Sequence, residues 1–269
     1  MNQRSVPEGW QLQGSSAQAY EEYLATAFRP WAEELVRLAE IREGDRVLDV
    51  ACGTGIVARN AAGKVGARGK VVGIDLNEEM LGVAGAVSAA LEWRVGNAIE
   101  LPFPDGSFDV AFCQQAIQFF SEPVVALREM RRVLAPGGRA AVSVCRATDY
   151  CPTYAILAKA LDRYLGPEAG AMMRSPFSSW SLDAFRGLFL DAGFRNLRVT
   201  IGVASLRYPS AAEFLRQEAA SSPLAGPIGG LSPSKRAELI EHLAEALADH
   251  RDDEGILCPL ETYVARANR

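Results

Sequence analysis

The chain has 269 residues, of which 49% are hydrophobic, 23% charged and 8% aromatic, and its formal net charge is −5. That balance excludes a disordered, collagen-like or coiled-coil chain and suits one large domain, or one domain with a cap. An acidic chain lacks the positive field that gathers nucleic acid or anionic lipid, and no apolar run approaches the roughly 18 residues that span a bilayer.

Met1 to Tyr20 is polar and carries no secretory signal. The five cysteines (Cys52, Cys113, Cys145, Cys151 and Cys258) are scattered, with no C-x-x-C pair. They read as reduced core thiols of a cytoplasmic protein, with no metal site. The two histidines, His242 and His250, fall beside the apolar stripe Leu239, Leu243 and Leu247 and read as solvated.

Residues 18–41 show helical spacing in Tyr20, Tyr23, Leu24, Ala27, Trp31, Leu35 and Leu38. A break at Gly44-Asp45 precedes a short apolar strand, Arg46 to Ala51. Gly53-Thr54-Gly55 turns the chain into a helix over 56–62. A second strand runs from Lys70 to Asp75, and Asn77 caps the next helix, with Glu78 and Glu79 at its positive end. Glu92 to Val95 and Phe108 to Cys113 are the third and fourth strands. A helix over 124–134 stops at Pro136-Gly137-Gly138, and the fifth strand covers Arg139 to Cys145. Strands alternating with helices imply a parallel sheet covered on both faces.

Beyond Cys145 the rhythm changes. A helical stretch and an apolar segment (Met172, Met173, Phe177, Trp180) form a candidate substrate lid over 149–180, while the same residues also suit a core beneath it. Asp149 and Tyr150 follow the fifth strand, placed either near a pocket or, for Asp149, as a helix cap. Ser181 caps a helix ending near Gly193. A strand follows over Leu197 to Tyr208 and a helix over Ala211 to Ala220. Residues 221–234 read as a loop. Ser232-Pro233 starts a helix that reaches about His250, and Ile256 to Ala265 is the last strand, with Pro259 near its start. The expected division is a helical cap (1–43), a cofactor-binding core (44–148), the lid (149–180) and a C-terminal completion of the sheet with inserted helices (181–269).

Chemistry collects where strands end. The carboxyl edge of an open parallel sheet is where ligands bind. Asp49-Val-Ala-Cys-Gly53-Thr-Gly55 closes the first strand, and its glycines let the backbone approach a ligand. Asp75, at the tip of the second strand, suits two vicinal ribose hydroxyls. Gly96-Asn97-Ala98 follows the third strand, where a polar side chain and a backbone donor suit an adenine edge. A dinucleotide fold would want G-x-G-x-x-G, and here the register ends at Ala58. A carboxylate at Asp49 repels a diphosphate and attracts an ammonium group, which favours an amino-acid-bearing nucleoside over a nicotinamide cofactor.

Four segments occur in order: Val47-Leu-Asp-Val-Ala-Cys-Gly-Thr-Gly55, Val72-Gly-Ile-Asp75-Leu-Asn-Glu-Glu-Met80, Leu101-Pro-Phe-Pro-Asp-Gly-Ser-Phe-Asp109 and Glu129-Met-Arg-Arg-Val-Leu-Ala-Pro-Gly-Gly138. Over residues 44–145 the chain resembles the class I S-adenosylmethionine-dependent methyltransferases, in the branch of the ubiquinone and menaquinone C-methyltransferases. The resemblance implies an α/β, Rossmann-like sheet of seven strands, the last antiparallel, with helices on both faces. It implies S-adenosyl-L-methionine as cofactor and methyl transfer by in-line displacement. Asp49, Ala51, Cys52, Gly53 and Gly55 stand at the methionine-binding turn. Asp75 stands at the ribose, Leu76 and Met80 at the adenine faces, and Asn97 with Ala98 at the adenine edge. The family usually has Asp at the place of Asn97. Ala51 departs from the usual Gly and is tolerable at a negative backbone angle. Gln114 matches the position whose backbone carbonyl takes the cofactor ammonium, and Tyr23 and Phe28 match an N-terminal helix that closes over the cofactor.

The segment Cys113-Gln-Gln-Ala-Ile-Gln-Phe-Phe120 lacks the Pro-Pro-Tyr/Phe pattern of amide- and nucleobase-methylating relatives, so the expected acceptor is a small apolar or aromatic molecule. Arg128, Arg131 and Arg132 read as the solvated face of a helix. No residue is identified as a general base. A non-catalytic cofactor-binding module and a nicotinamide-dependent oxidoreductase stay open, as do the oligomeric state and the acceptor's identity.

Overall fold

The computed structural model describes residues 15–269, so most of the polar start read over Met1–Tyr20 lies outside the described residues. In chain order the elements are α1 (Ser16–Ala19), a π-helical turn (Tyr20–Ala25), α2 (Arg29–Leu38), β1 (Arg46–Val50), α3 (Ile56–Val65), β2 (Lys70–Asp75), α4 (Glu78–Val87), β3 (Glu92–Val95), β4 (Phe108–Gln114), α5 (Pro123–Val133), β5 (Leu134–Cys145), α6 (Pro152–Leu165), α7 (Pro167–Arg174), α8 (Leu182–Asp191), β6 (Arg195–Tyr208), α9 (Ala211–Ala220), α10 (Ala225–Gly229), α11 (Pro233–Ala246), β7 (Arg251–Asp252) and β8 (Gly255–Asn268).

The sheet runs β3-β2-β1-β4-β5-β8-β6, with the two-residue β7 paired to β8 off that path. β1 is parallel to β2 and β4, β2 to β3, and β4 to β5, whereas β8 is antiparallel to β5. The expected seven-stranded mixed sheet is therefore present, with β7 as an addition. Pro259 falls between the β8 residues that pair with β7 and those that pair with β5.

Local sequence explains most boundaries. Asn77 accepts from the N–H groups of Glu79 and Met80, Ser181 from Ala184 and Ser232 from Lys235. The single helix expected over 18–41 is divided. Pro30 at the first turn of α2 lacks an N–H and cannot continue a preceding helix, so the chain breaks at Phe28. The helix stop at Pro136-Gly137-Gly138 is instead an irregularity inside β5, because the pairing jumps from Phe108–Leu134 to Val110–Arg139. The loop expected over 221–234 contains the short helix α10.

Two compact units result. One comprises Phe28–Arg146, Phe177–Gly202 and Glu261–Arg269. Its strands alternate faces. Val47, Val110, Phe112 and Ala141 face a core with Ala32 and Leu35 of α2 and Val57, Ala58 and Ala61 of α3. Leu48, Val72, Ile74, Ala111 and Val142 face a second core with Leu127 and Met130 of α5 and Phe185 and Phe189 of α8. A strand buried on both faces needs near-continuous apolar sequence, which β1 and β4 have.

The other unit comprises, among the described residues, 15–27, Ala147–Pro176 and Val203–Leu260. It draws on the segments expected as cap, lid and C-terminal completion. Here α11 packs on α6 and α9, burying Leu157, Leu161, Phe214, Leu239 and Leu243.

Candidate active site

The first unit gathers the ends of β1, β2, β3 and β4 at one sheet edge. Asp49 pairs with Gly73 and Phe112 across the ladders and is 1% exposed. One of its oxygens accepts from the N–H of Ala58, in the first turn of α3, at 2.9 Å. Burial pushes its carboxyl up to about 7, and the neighbouring Asp75 carboxylate adds to the rise, against the Ala58 N–H that lowers it. Asp49 thus already satisfies a helix-end donor that a diphosphate would need.

Ala51, Gly53 and Gly55 follow, with φ of 52°, 54° and 86°. The negative angle that would make Ala tolerable at position 51 is not the one adopted: the residue sits in the left-handed region, where a Cβ costs about 1–2 kcal/mol. The turn is held from two sides. Cys52 N–H donates to the carbonyl of Ile74 at 3.0 Å. Gly53 N–H donates to the Asp75 carboxylate at 2.7 Å. Burial, with Asp49 and Asp75 nearby, raises the Cys52 thiol well above its ordinary value, so it stays neutral.

Asp75 therefore joins two loops. Its other oxygen accepts from Asn77 N–H at 2.9 Å, fixing the entry to α4. A carboxylate offers about four lone-pair sites, so two remain after these bonds. Leu76 beside it is 69% exposed, a large apolar side chain open at the strand tip, and Met80 is half-buried one turn into α4. Gly96 N–H donates to the carbonyl of Asp75 at 2.9 Å, which places the loop after β3 next to the tip of β2. In that loop Asn97 is exposed and accepts from Ile99 N–H through its side chain at 3.2 Å, while Ala98 is buried.

At the end of β4, Gln114 donates from its side-chain amide to the carbonyl of Phe28 at 3.2 Å, and its Oε1 is buried without a hydrogen-bond partner among the described residues. Phe28, on this unit, packs its ring 5.5 Å from Trp31. Tyr23 belongs to the other unit, where the Arg216 guanidinium lies 5.1 Å over its ring.

Three contributors escaped the sequence reading. Trp93 of β3 fills the space that a Cβ on Gly55 or Gly73 would occupy, its ring atoms 2.2 and 2.4 Å from those positions. The glycines thus make room for an indole as much as for a ligand, and nothing local in either segment signals that partnership. Gln115, at φ 52°, accepts from Cys145 N–H at 2.6 Å and braces the ends of β4 and β5. Arg132 is the third. It is no solvated arginine, since its guanidinium donates to the carbonyls of Leu101 and Phe103, to Asp105 and to Glu129.

Other expected residues are placed plainly. Asp149 is exposed and caps nothing, because the residue before α6 is Cys151, without a side-chain cap. His242 is half-buried with its ring 5.7 Å from Tyr164, so it is not a freely solvated side chain. In the first unit Trp180 stacks on Phe185. In the other, Met173 is buried and Met172 exposed. No helix among the described residues is long and apolar enough to cross a membrane.

Residues 48–142 match the model of a family described as a methyltransferase domain. The chain is 33% identical over 186 residues to the 2-phytyl-1,4-naphtoquinone methyltransferase of Synechococcus elongatus, covering 63% of this chain and 79% of that protein. It is 34% identical over 196 residues to the demethylmenaquinone methyltransferase of Staphylococcus aureus, covering 65% and 80%. Among solved structures, the YcgJ protein of Bacillus subtilis shares the fold with a TM-score of 0.60 and 22% identity, over 89% of this chain and 98% of that one. The parallel strand edge, its four ordered motifs and these relatives converge: the chain belongs to the S-adenosylmethionine-dependent methyltransferases, in the branch that includes the demethylmenaquinone methyltransferases.

Proposed function

We propose that this methyltransferase acts in the cytoplasm on a small apolar or aromatic acceptor, and that the β1–β4 edge holds S-adenosylmethionine. The residues suit that cofactor. Asp75 has acceptor capacity left for ribose hydroxyls, Leu76 offers an open apolar face, and the Ala51–Gly55 turn exposes backbone. Gln114 Oε1, buried and without a partner among the described residues, is an acceptor that suits a ligand donor. When bound, the cofactor supplies a methyl group already activated on a sulfonium. The chain's own task is to orient the acceptor and exclude water, a contribution of roughly 7–11 kcal/mol in well-aligned sites.

The observation that carries this reading is the Asp75 carboxylate, which bonds the β1 turn and the α4 entry together beside exposed Leu76. The quinone-modifying relatives and the acidic net charge support a small apolar acceptor rather than nucleic acid. Five buried cysteines with no disulfide among the described residues support the cytoplasmic placement. The 149–180 segment, with exposed Met172, keeps its proposed role in covering the acceptor.

The test is calorimetry with S-adenosylhomocysteine. Asp75→Ala should weaken binding by about 10–100-fold, the worth of hydrogen bonds to a charged group, while circular dichroism stays native. Unchanged affinity refutes the ribose assignment. A panel of reduced naphthoquinones, phenols and amines should then give one methylated naphthoquinol or phenol. A product formed only from amines refutes the acceptor class, and absence of any turnover favours a non-catalytic binding module.

A further inference from the structure

We infer that Arg132 and Glu129 are positioning residues for cofactor recognition: they hold the loop after β3 so that Asn97 and Ala98 meet the adenine. This rests on the adenine assignment proposed above.

A guanidinium carries five N–H donors. In Arg132, Nε donates to Glu129 Oε1 at 2.7 Å and Nη2 to Glu129 Oε2 at 2.7 Å. Nη2 also donates to the carbonyl of Leu101 at 2.9 Å. Nη1 donates to the carbonyl of Phe103 and to Asp105 Oδ1, both at 2.8 Å. Glu129 Oε2 in turn accepts from Leu101 N–H at 2.9 Å. The two α5 side chains therefore grip both backbone groups of Leu101, the carbonyl of Phe103 and the carboxylate of Asp105. Glu129 is held below the usual glutamate range, first by its hydrogen bonds from Arg132.

The grip continues backward to the ligand edge. Glu100 N–H donates to the carbonyl of Asn97 at 3.1 Å, and Gly96 N–H to that of Asp75 at 2.9 Å. Asp75, Gly96, Asn97, Glu100 and Leu101 thus form one hydrogen-bonded run ending on Arg132. The burial of Ala98, Leu101 and Phe103 anchors the same stretch in the core. An exposed i,i+3 ion pair on a helix contributes little. Here the Arg132 and Glu129 side chains are only 30% and 20% exposed, and most of their bonds go to the loop rather than along the helix. Lysine offers three donors from one point and cannot copy the planar fork. This gives a role to the third and fourth family segments, which the cofactor contacts alone leave idle.

The test measures affinity for S-adenosylhomocysteine and for adenosine by calorimetry, well below each variant's melting midpoint. Arg132→Met should weaken both ligands by the same factor, about 10-fold, the scale on which supporting groups around a ligand act. Arg132→Lys should recover little, and Glu129→Gln should give a smaller loss; these two serve if Arg132→Met does not fold. In a double-mutant cycle the Arg132 effect should shrink in an Asn97→Ala background, because both changes release one loop. Variants that melt earlier yet bind within twofold of the parent overturn the inference. So does an affinity loss that persists undiminished beside Asn97→Ala. Asp75→Ala, run in parallel, separates this from failure of the binding site itself: normal binding there sinks the underlying reading, whereas weak binding there with normal Arg132 variants sinks only the positioning role.

Discussion

The two compact units bury their carboxylates in opposite ways. In the unit with the strand edge, Asp49 and Asp75 accept from backbone N–H groups of nearby turns, at Ala58, Gly53 and Asn77. In the other, buried Glu218 accepts from the hydroxyls of Tyr154 at 2.9 Å and Tyr208 at 2.8 Å, both themselves buried. Burial raises the Glu218 carboxyl and the two hydroxyls pull it back. A carboxylate that anchors backbone shapes a loop around a ligand, and its spacing is written locally. A carboxyl held by distant side chains fastens elements together and leaves no short motif.

The comparison is broken most forcefully at the glycines under Trp93. Gly73→Ala places a Cβ 2.4 Å from the indole and 2.9 Å from Cys52 Sγ. It should lower stability by about 2–3 kcal/mol in denaturant titration, and by less in a Trp93→Phe background. An equal loss in both backgrounds would show that the indole is not the obstacle.

Asp49 provides a pH test. A carboxyl raised on folding favours the native state below its ordinary value, near 4, and that contribution is lost as pH climbs through the folded value of about 7. The stability difference between the parent and Asp49→Asn should therefore move against the parent across that window in the ligand-free protein. A difference that stays flat with pH would mean Asp49 is ionised throughout.

In the other unit, Tyr154→Phe removes one donor to Glu218 and should cost about 1–1.5 kcal/mol, without changing affinity for S-adenosylhomocysteine. The smallest effect belongs to Ala51→Gly, which relieves the left-handed Cβ and should stabilise by about 0.5–1 kcal/mol after the added chain entropy of glycine. A destabilised Ala51→Gly variant would show that this φ carries no strain.

Much was legible before folding was considered. The apolar runs of β1, β2 and β4 are long enough to be buried on both faces, and β2, β3 and α9 start and stop where the pattern places them. Asn77, Ser181 and Ser232 act as the caps their chemistry suggests, because a cap bonds within three residues. The helix over 18–41 was misread because periodicity spoke louder than Pro30.

The sequence alone determined the alternating sheet, which depends on side chains and turns only a few residues apart, and its ordered motifs carried the resemblance that implies the cofactor class. Tertiary structure alone decided that Trp93 backs Gly55 and Gly73, that Arg132 grips the loop after β3, and that Glu218 meets Tyr154 across 64 positions of chain. Such partnerships depend on which surfaces fold together, and hydrogen-bond donors carry no mark of the distant acceptor they will meet.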